Sequence, residues 1–256
     1  TVDKTAELYN ACNFVIRRDN KYHGYNTDVD GFLYAIKSKN AELSGKKVLV
    51  TGAGGVSHML AATSAMEGAE VTVLARNENK AASLCDFVYE KTGKKLKLFS
   101  GSYDCDILLQ GTPAGMYPNY FDSPFPLINL KNIPFVFDTI YNPVKNLTVS
   151  VSEYFGNTAI AGLSMLVSQA AKAQEIYFDC KFSPDDIKDT IDVCVPSLKK
   201  IEPDFNVILI GAPGCGKSTL GKELSLLTGG SFVDLDAEIE KKENRTIKDI
   251  FSSEGE

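Results

Sequence analysis

Two glycine-rich stretches carry the clearest chemistry in this sequence. Gly52-Ala53-Gly54-Gly55-Val56-Ser57 has the GxGxx-small spacing of a loop that wraps a pyrophosphate. Gly52 permits the tight turn, Gly54 lets the backbone approach the anion, and Ser57 stands where a third glycine would let helix and strand pack. Gly211-Ala212-Pro213-Gly214-Cys215-Gly216-Lys217-Ser218 is a complete GxxxxGK[ST] motif, followed by Thr219. Its amides suit a β-phosphate, Lys217 suits the β- and γ-phosphates of ATP, and Ser218 suits Mg²⁺. Cys215 reads as a small filler turned away from the phosphate rather than a redox group. A third feature is Arg76, about twenty residues past the first loop, where a carboxylate would bind the ribose of NAD. A guanidinium there pairs with a 2′-phosphate and favours NADP. Glu78 nearby argues the other way, and a solvated surface charge is the plain alternative.

Such loops work when a buried strand delivers them and a helix leaves them, because the helix amides then face the anion. Val48-Leu49-Val50 reads as that strand for the first loop, with a helix over 56–67 beyond it. Strands are expected at 71–74, 96–99, 107–109 and 135–137, and helices at 79–91, 147–155 and 163–177. This alternation implies βαβ units and a parallel sheet, an α/β fold of Rossmann type. Upstream lie a helix end, a strand at 14–16, the polar turn Asp19-Asn20-Lys21, a strand reaching Tyr25 and a helix over 29–37. A second series holds a strand at 207–210, a helix from 217, a strand near Phe232 and two short helices. That is a partial P-loop α/β domain, too short to close a sheet.

Composition narrows the partners. A net charge of −6 argues against a general nucleic-acid or acidic-membrane partner, since both need clustered Lys and Arg. No apolar run approaches a membrane span and no signal peptide opens the chain, so a cytoplasmic protein is expected. The six cysteines (Cys12, Cys85, Cys105, Cys180, Cys194, Cys215) show neither CxxC nor zinc spacing and read as reduced core thiols. Oligomeric state is left open. The chain opens on Thr1 and ends on Glu256 in mid-pattern, which reads as a fragment.

Five short blocks occur in order: Asn26-Thr27-Asp28, the Gly52 loop, Thr112-Pro113-Ala114-Gly115-Met116, Asp138-Thr139-Ile140-Tyr141-Asn142-Pro143 and Gly162-Leu163-Ser164-Met165-Leu166 with Gln169. Together they resemble shikimate dehydrogenase over about residues 1–180. The resemblance implies reversible hydride transfer between NADPH and 3-dehydroshikimate, with Asp28 catalytic and Asn13, Asp28, Tyr141 and Gln169 holding substrate. It also implies cofactor contacts from Gly52, Ala53, Gly54, Gly55, Val56, Arg76, Thr112, Thr139 and Gly162. Hydride addition leaves an alkoxide that must take a proton at once, which an acid supplies. Each residue has a plainer role. Asp28 could cap the following helix, Tyr141 could be half-buried packing, and Gln169 could be solvated.

Phe232-Val233-Asp234-Leu235-Asp236 and the residues to Gly255-Glu256 resemble the start of shikimate kinase. That implies Asp234 near Mg²⁺ and Asp236 on the hydroxyls of shikimate; a turn or cap is the alternative for this pair. The two resemblances agree, because the first reaction makes the substrate of the second. The expected organisation is a substrate-lobe remnant and connecting helix at 1–38, and a NADP-binding Rossmann domain with C-terminal helices at 39–191. A linker with Pro196 and Pro203 follows at 192–204, then a partial kinase domain at 205–256. Departures from the dehydrogenase pattern are Gln110 for Asn, Ala75 for Asn and Asn146 for Thr. The catalytic lysine of that family lies in an Asn-x-Thr-x-Pro-x-Lys segment that this sequence does not contain. Neither Lys4 nor Lys21 takes its place, so the chain alone is expected to be impaired. A quinate/shikimate dehydrogenase and a catalytically dead nucleotide-binding module are the other readings.

Overall fold

The computed structural model describes residues 1–198, 207–212, 214–228 and 230–254. The chain divides into two compact units, Thr1–Ile201 and Glu202–Glu256.

The first unit is built on a six-stranded sheet whose strands are all parallel. In chain order these are β3 (Lys47–Thr51), β4 (Glu70–Leu74), β5 (Lys97–Leu98), β6 (Ile107–Gln110), β7 (Phe135–Asp138) and β8 (Thr158–Ala161). Their spatial order is β5-β4-β3-β6-β7-β8. The chain winds outward from β3 to one edge, returns to the middle at β6, and winds to the other edge. That reversal between β3 and β6 is where a doubly wound sheet opens a crevice for a ligand. Val48, Leu49, Val50, Leu108, Leu109, Val136 and Phe137 are fully or nearly fully buried. Apolar residues thus run along the strands without alternation, as a sheet covered on both faces requires.

Helices α3 (Gly55–Met66), α4 (Glu78–Thr92), α5 (Leu147–Tyr154) and α6 (Leu163–Phe178) flank or cap these strands. Ala61, Ala62 and Ala65 on α3 are small enough to seat it closely, and Leu60 beside them is fully buried. Ahead of the sheet come α1 (Lys4–Tyr9), the antiparallel pair β1 (Phe14–Arg18) and β2 (Lys21–Tyr25), and α2 (Asp28–Lys37). Helix α2 lies along α6, and Phe32 on it meets the Phe137 ring at 5.6 Å. Gly31 makes this crossing possible: a Cβ there would sit 2.6 Å from the Met165 carbonyl oxygen and 3.0 Å from Gln169 Cβ.

Three elements depart from the expected pattern. Strand β8 is an edge strand of Thr158, Ala159, Ile160 and Ala161, too short and too weakly apolar to stand out. Helix α7 (Pro184–Cys194) carries its start signal openly, a capping box between Ser183 and Asp186 with Pro184 in the first turn. It runs into the stretch expected as linker, and a 3₁₀ turn at Val195–Ser197 continues it; residues 199–206 lie outside the described residues. The cysteines are free, as expected, but none is a core residue: Cys12, Cys180 and Cys215 are exposed and the others half-buried. Cys12, Cys105, Cys180 and Cys215 lie in loops, Cys194 ends α7, and Cys85 on α4 packs against the core from a half-buried position.

The second unit holds α8 (Lys217–Thr228), α9 (Leu235–Glu243) and α10 (Ile247–Glu254). The expected strands at 207–210 and near Phe232 form no ladder among the described residues. A strand needs a hydrogen-bonded neighbour, and the described residues of this unit offer none. The apolar contact is nonetheless in place, for the Phe232 ring packs where a Cβ on Gly221 would be, 2.5 Å from its nearest atom.

Replacing Gly31 by Ala should destabilise the first unit. The added methyl meets rigid backbone, an overpacking cost of about 1–3 kcal/mol, against a helix-propensity gain of about 1 kcal/mol. Urea unfolding should show a lower midpoint at unchanged slope; a midpoint at or above that of the parent would mean that α2 and α6 are not so tightly apposed.

Candidate functional site

The glycine loop leaves β3 at the sheet reversal, as its chemistry demands. Gly52 has φ +97, a conformation side chains rarely adopt, and a Cβ on it would meet Ser57 Oγ at 2.7 Å and Thr112 Cγ2 at 2.9 Å. Gly54 caps α3 in extended conformation, and nothing lies within 4 Å of a Cβ built on Gly54 or Gly55. The N-terminus of α3 therefore opens onto free space, the setting a pyrophosphate needs. Ala53 is half-buried beneath the loop and Val56 exposed on it. Ser57 is fully buried, and its hydroxyl lies 3.3 Å from the Thr51 carbonyl and 3.2 Å from that of Gly111. It thus clasps the loops after β3 and β6 together. Arg76 follows β4, exposed and without a hydrogen bond or ion pair among the described residues. Its neighbour Asn77 is occupied, capping α4 by accepting from the Lys80 amide at 3.1 Å.

A second cluster forms where the hairpin meets α2. Asn13 Nδ2 donates to Asp28 Oδ1 at 2.8 Å and to Thr27 Oγ1 at 3.1 Å, and Asn13 Oδ1 accepts from the Thr27 amide at 2.9 Å. The buried Asn26 side chain accepts from the Asp28 amide. Asp28 sits in the first turn of α2, but Thr27 holds the cap position and the Asp28 carboxylate turns to Asn13. Burial raises the Asp28 pKa above the usual carboxylate range, opposed by the Asn13 hydrogen bond. Gln169 on α6 packs beside Gly31, which lies one turn along α2 from Asp28. Its Oε1 is buried without a partner among the described residues, and so is Asn142 Oδ1 in the loop after β7. Orphaned buried acceptors are costly unless a ligand satisfies them. Tyr141 stands exposed on that same loop.

Beneath these loops lies a row the sequence reading did not assign. Thr51, Gln110 and Asp138 end β3, β6 and β7, are register partners across the sheet, and are fully buried. Thr51 Oγ1 donates to Gln110 Oε1 at 3.2 Å; Gln110 Nε2 donates to the Thr112 and Ala114 carbonyls, both at 3.1 Å. Asp138 accepts from the Ile140 amide at 2.9 Å and from Asn146 Nδ2 at 2.7 Å. Thr139 donates its amide and its hydroxyl to the Gln110 carbonyl, both at 3.0 Å. Gly162 closes against this segment, since a Cβ there would come 2.0 Å from the Thr139 carbonyl oxygen. The available signal was one polar residue ending each of three apolar runs. Burial pushes the Asp138 pKa up to about 7, with the surrounding donors holding it down.

In the second unit Gly214 and Gly216 take left-handed φ values of 75° and 89°. Lys217 Nζ donates to the Gly211 and Ala212 carbonyls at 2.7 and 2.8 Å. Cys215 lies against Gly211, whose added Cβ would come 2.8 Å from its sulfur. Ser218 Oγ donates to Asp234 Oδ2 at 3.2 Å, which brings together the two groups expected at Mg²⁺. Thr219 follows within α8, and Asp236 lies exposed in the first turn of α9 with no partner among the described residues.

A shikimate dehydrogenase (NADP(+)) from Caldanaerobacter subterraneus subsp. tengcongensis is 36% identical over 178 residues, 67% of this chain and 64% of the relative. The chain is homologous to shikimate dehydrogenases over 67% of its length. It thus spans somewhat less than two thirds of that relative's length. A shikimate dehydrogenase solved with NADP+ superposes with TM-score 0.67 at 29% identity, covering 76% of this chain and 70% of that one. A chorismate mutase/shikimate 5-dehydrogenase fusion protein from Clostridium acetobutylicum gives TM-score 0.67 at 26% identity, covering 77% and 70%. Residues 213–256 match the shikimate kinase family model. The chain therefore joins shikimate dehydrogenase homology to a shikimate kinase segment, on the Rossmann-like parallel α/β fold of that dehydrogenase family.

The Asp138 shift has a defined sign. An acid raised from its ordinary 3.8 to about 7 binds its proton more tightly when folded. The stability it contributes is full below the ordinary value and is lost as pH rises through about 7. The advantage of the parent over Asp138→Asn should therefore shrink between about pH 4.5 and 7.5 in urea unfolding. A constant or growing gap would contradict a raised pKa.

Proposed function

We propose that the first unit belongs to an enzyme that catalyses NADP(H)-dependent interconversion of 3-dehydroshikimate and shikimate, and that the second belongs to an ATP- and Mg²⁺-dependent shikimate kinase. The observation that carries the first reading is the Asn13–Asp28 pair at the start of α2, one turn before Gly31, against which Gln169 of α6 with its unpartnered acceptor packs. When bound, NADPH supplies the hydride that turns the ketone carbon into an alcohol. Asp28 moves the matching proton, its pKa raised by burial so that the carboxyl holds a proton more readily than an exposed one. Asn13 orients that carboxyl, while Gln169 and Tyr141 offer hydrogen bonds to ring hydroxyls. Gly52 makes the tight turn, Gly54 and Gly55 leave room for the pyrophosphate, Arg76 would pair with the 2′-phosphate, and Thr112, Thr139 and Gly162, packed against one another's segments, would line the cofactor side. For the kinase, the Ser218–Asp234 pair supports the Mg²⁺ role and Asp236 the substrate role. The name of the 36% identical relative and the NADP+ complex of the 29% identical structure both support the choice of cofactor.

Two substitutions test this in the full protein, followed by nicotinamide absorbance. Asp28→Asn should lower kcat by roughly 10²- to 10⁴-fold, the usual worth of a positioned acid, and leave NADPH binding intact. Turnover near the parental rate would remove Asp28 from the chemistry. Arg76→Ala should raise the KM for NADPH by roughly tenfold or more, the loss of a charge-assisted pair, and leave that for NADH unchanged. Equal effects on both cofactors would defeat the assignment of Arg76.

A further inference from the structure

The buried row Thr51, Gln110 and Asp138 is more than a filling of the sheet edge. Each member sits on the last rung of its strand, immediately before a loop that carries candidate contacts: Gly52 after Thr51, Thr112 after Gln110, Thr139 and Tyr141 after Asp138. Asp138 is the member with a charge to place. Its carboxylate takes the Ile140 amide within the loop and the Asn146 side chain from the cap of α5, and Thr148 and Gln110 also face it as donors. No charged side chain is among these partners, so its only compensation is the set of donors it gathers. Asn146 is committed as well, accepting from the Val149 amide at 3.1 Å while donating to Asp138. The loop 139–143 is thus pinned from both sides by one carboxylate.

We propose that Asp138 is a positioning residue for the hydride transfer, fixing the segment Thr139–Tyr141 against the reaction crevice through Ile140 and Asn146. The proposal rests on the dehydrogenase reading, and it differs from the cofactor and substrate contacts because the Asp138 side chain is fully buried. A group that acts by orientation is replaceable by any arrangement that restores the same hydrogen bonds. Asp138→Asn turns one acceptor into an amine facing donors. The reciprocal exchange Asp138→Asn with Asn146→Asp restores complementarity: residue 138 then donates to residue 146 and still accepts from Ile140, and residue 146 still caps Val149.

The full protein is assayed with NADPH and 3-dehydroshikimate. Asp138→Asn should lower kcat by roughly 100-fold, the scale of an ångström-sized misplacement, and the reciprocal exchange should restore turnover to near the parental level. Parental turnover in Asp138→Asn overturns the proposal, as does a folded reciprocal exchange that stays slow, since the charge itself would then be what matters. If Asp138→Asn fails to fold, the reciprocal exchange compared with the parent decides alone. If the parent itself does not turn over this substrate, the functional reading fails separately. Positioning is then judged by amide exchange at Thr139, Ile140 and Thr112, which should speed up by roughly tenfold or more in Asp138→Asn and recover in the exchange; unaltered rates there overturn it.

Discussion

At the carboxyl edge of a parallel sheet the backbone stops pairing all at once, and the groups left over must find partners in a place largely closed to water. The site of this protein depends on how that need is met. Ser57 shares its hydroxyl between the carbonyls of Thr51 and Gly111, Gln110 satisfies the Thr112 and Ala114 carbonyls and the Thr112 amide of the following loop, and Asp138 satisfies the Ile140 amide of the next. Each bond that removes a polar liability also fixes a loop. Loop geometry at this edge is therefore a by-product of hydrogen-bond completion, and the crevice at the strand-order reversal inherits its shape from it.

The second determinant is apolar. Helix α2 brings Asp28 from outside the sheet, and its approach to α6 is set by the missing side chain at Gly31 and the Phe32–Phe137 contact beneath. The polar cluster around Asn13 then rests on a close helix crossing, which the Lys172–Asp30 ion pair at 3.7 Å also spans. Surface pairs such as Lys47–Asp104 lie far from this cluster in sequence and are well exposed, so they contribute little.

Much of this was legible in the residues. The strand, loop and helix around Gly52 could be placed because apolar runs, glycines and a helical period occur in series, and the four central strands fall where the runs lie. Strand β8 escaped because Thr158 to Ala161 lacks an apolar signature, and the second unit's expected strands form no ladder among the described residues because pairing is a property of neighbours, not of a run. In the site, Asn13 and Asp28 were named through their motif, but their mutual hydrogen bond depends on hairpin register. The row of Thr51, Gln110 and Asp138 went unassigned for the same reason, since adjacency across strands is written in no single segment. The departures Gln110 and Asn146 acquire a meaning only there: the longer amide reaches the loop carbonyls, and the asparagine both caps a helix and serves the carboxylate.

The lysine of the second glycine loop already has its ammonium on two carbonyl oxygens, those of Gly211 and Ala212. A polyphosphate arriving there trades places with ligands the cation holds, so the attraction it feels is a difference between two coordination shells and not the full force of a bare charge. The loop's carbonyls must then turn to solvent or to another donor. Nucleotide capture at this loop is in that sense an exchange reaction, with its own leaving group.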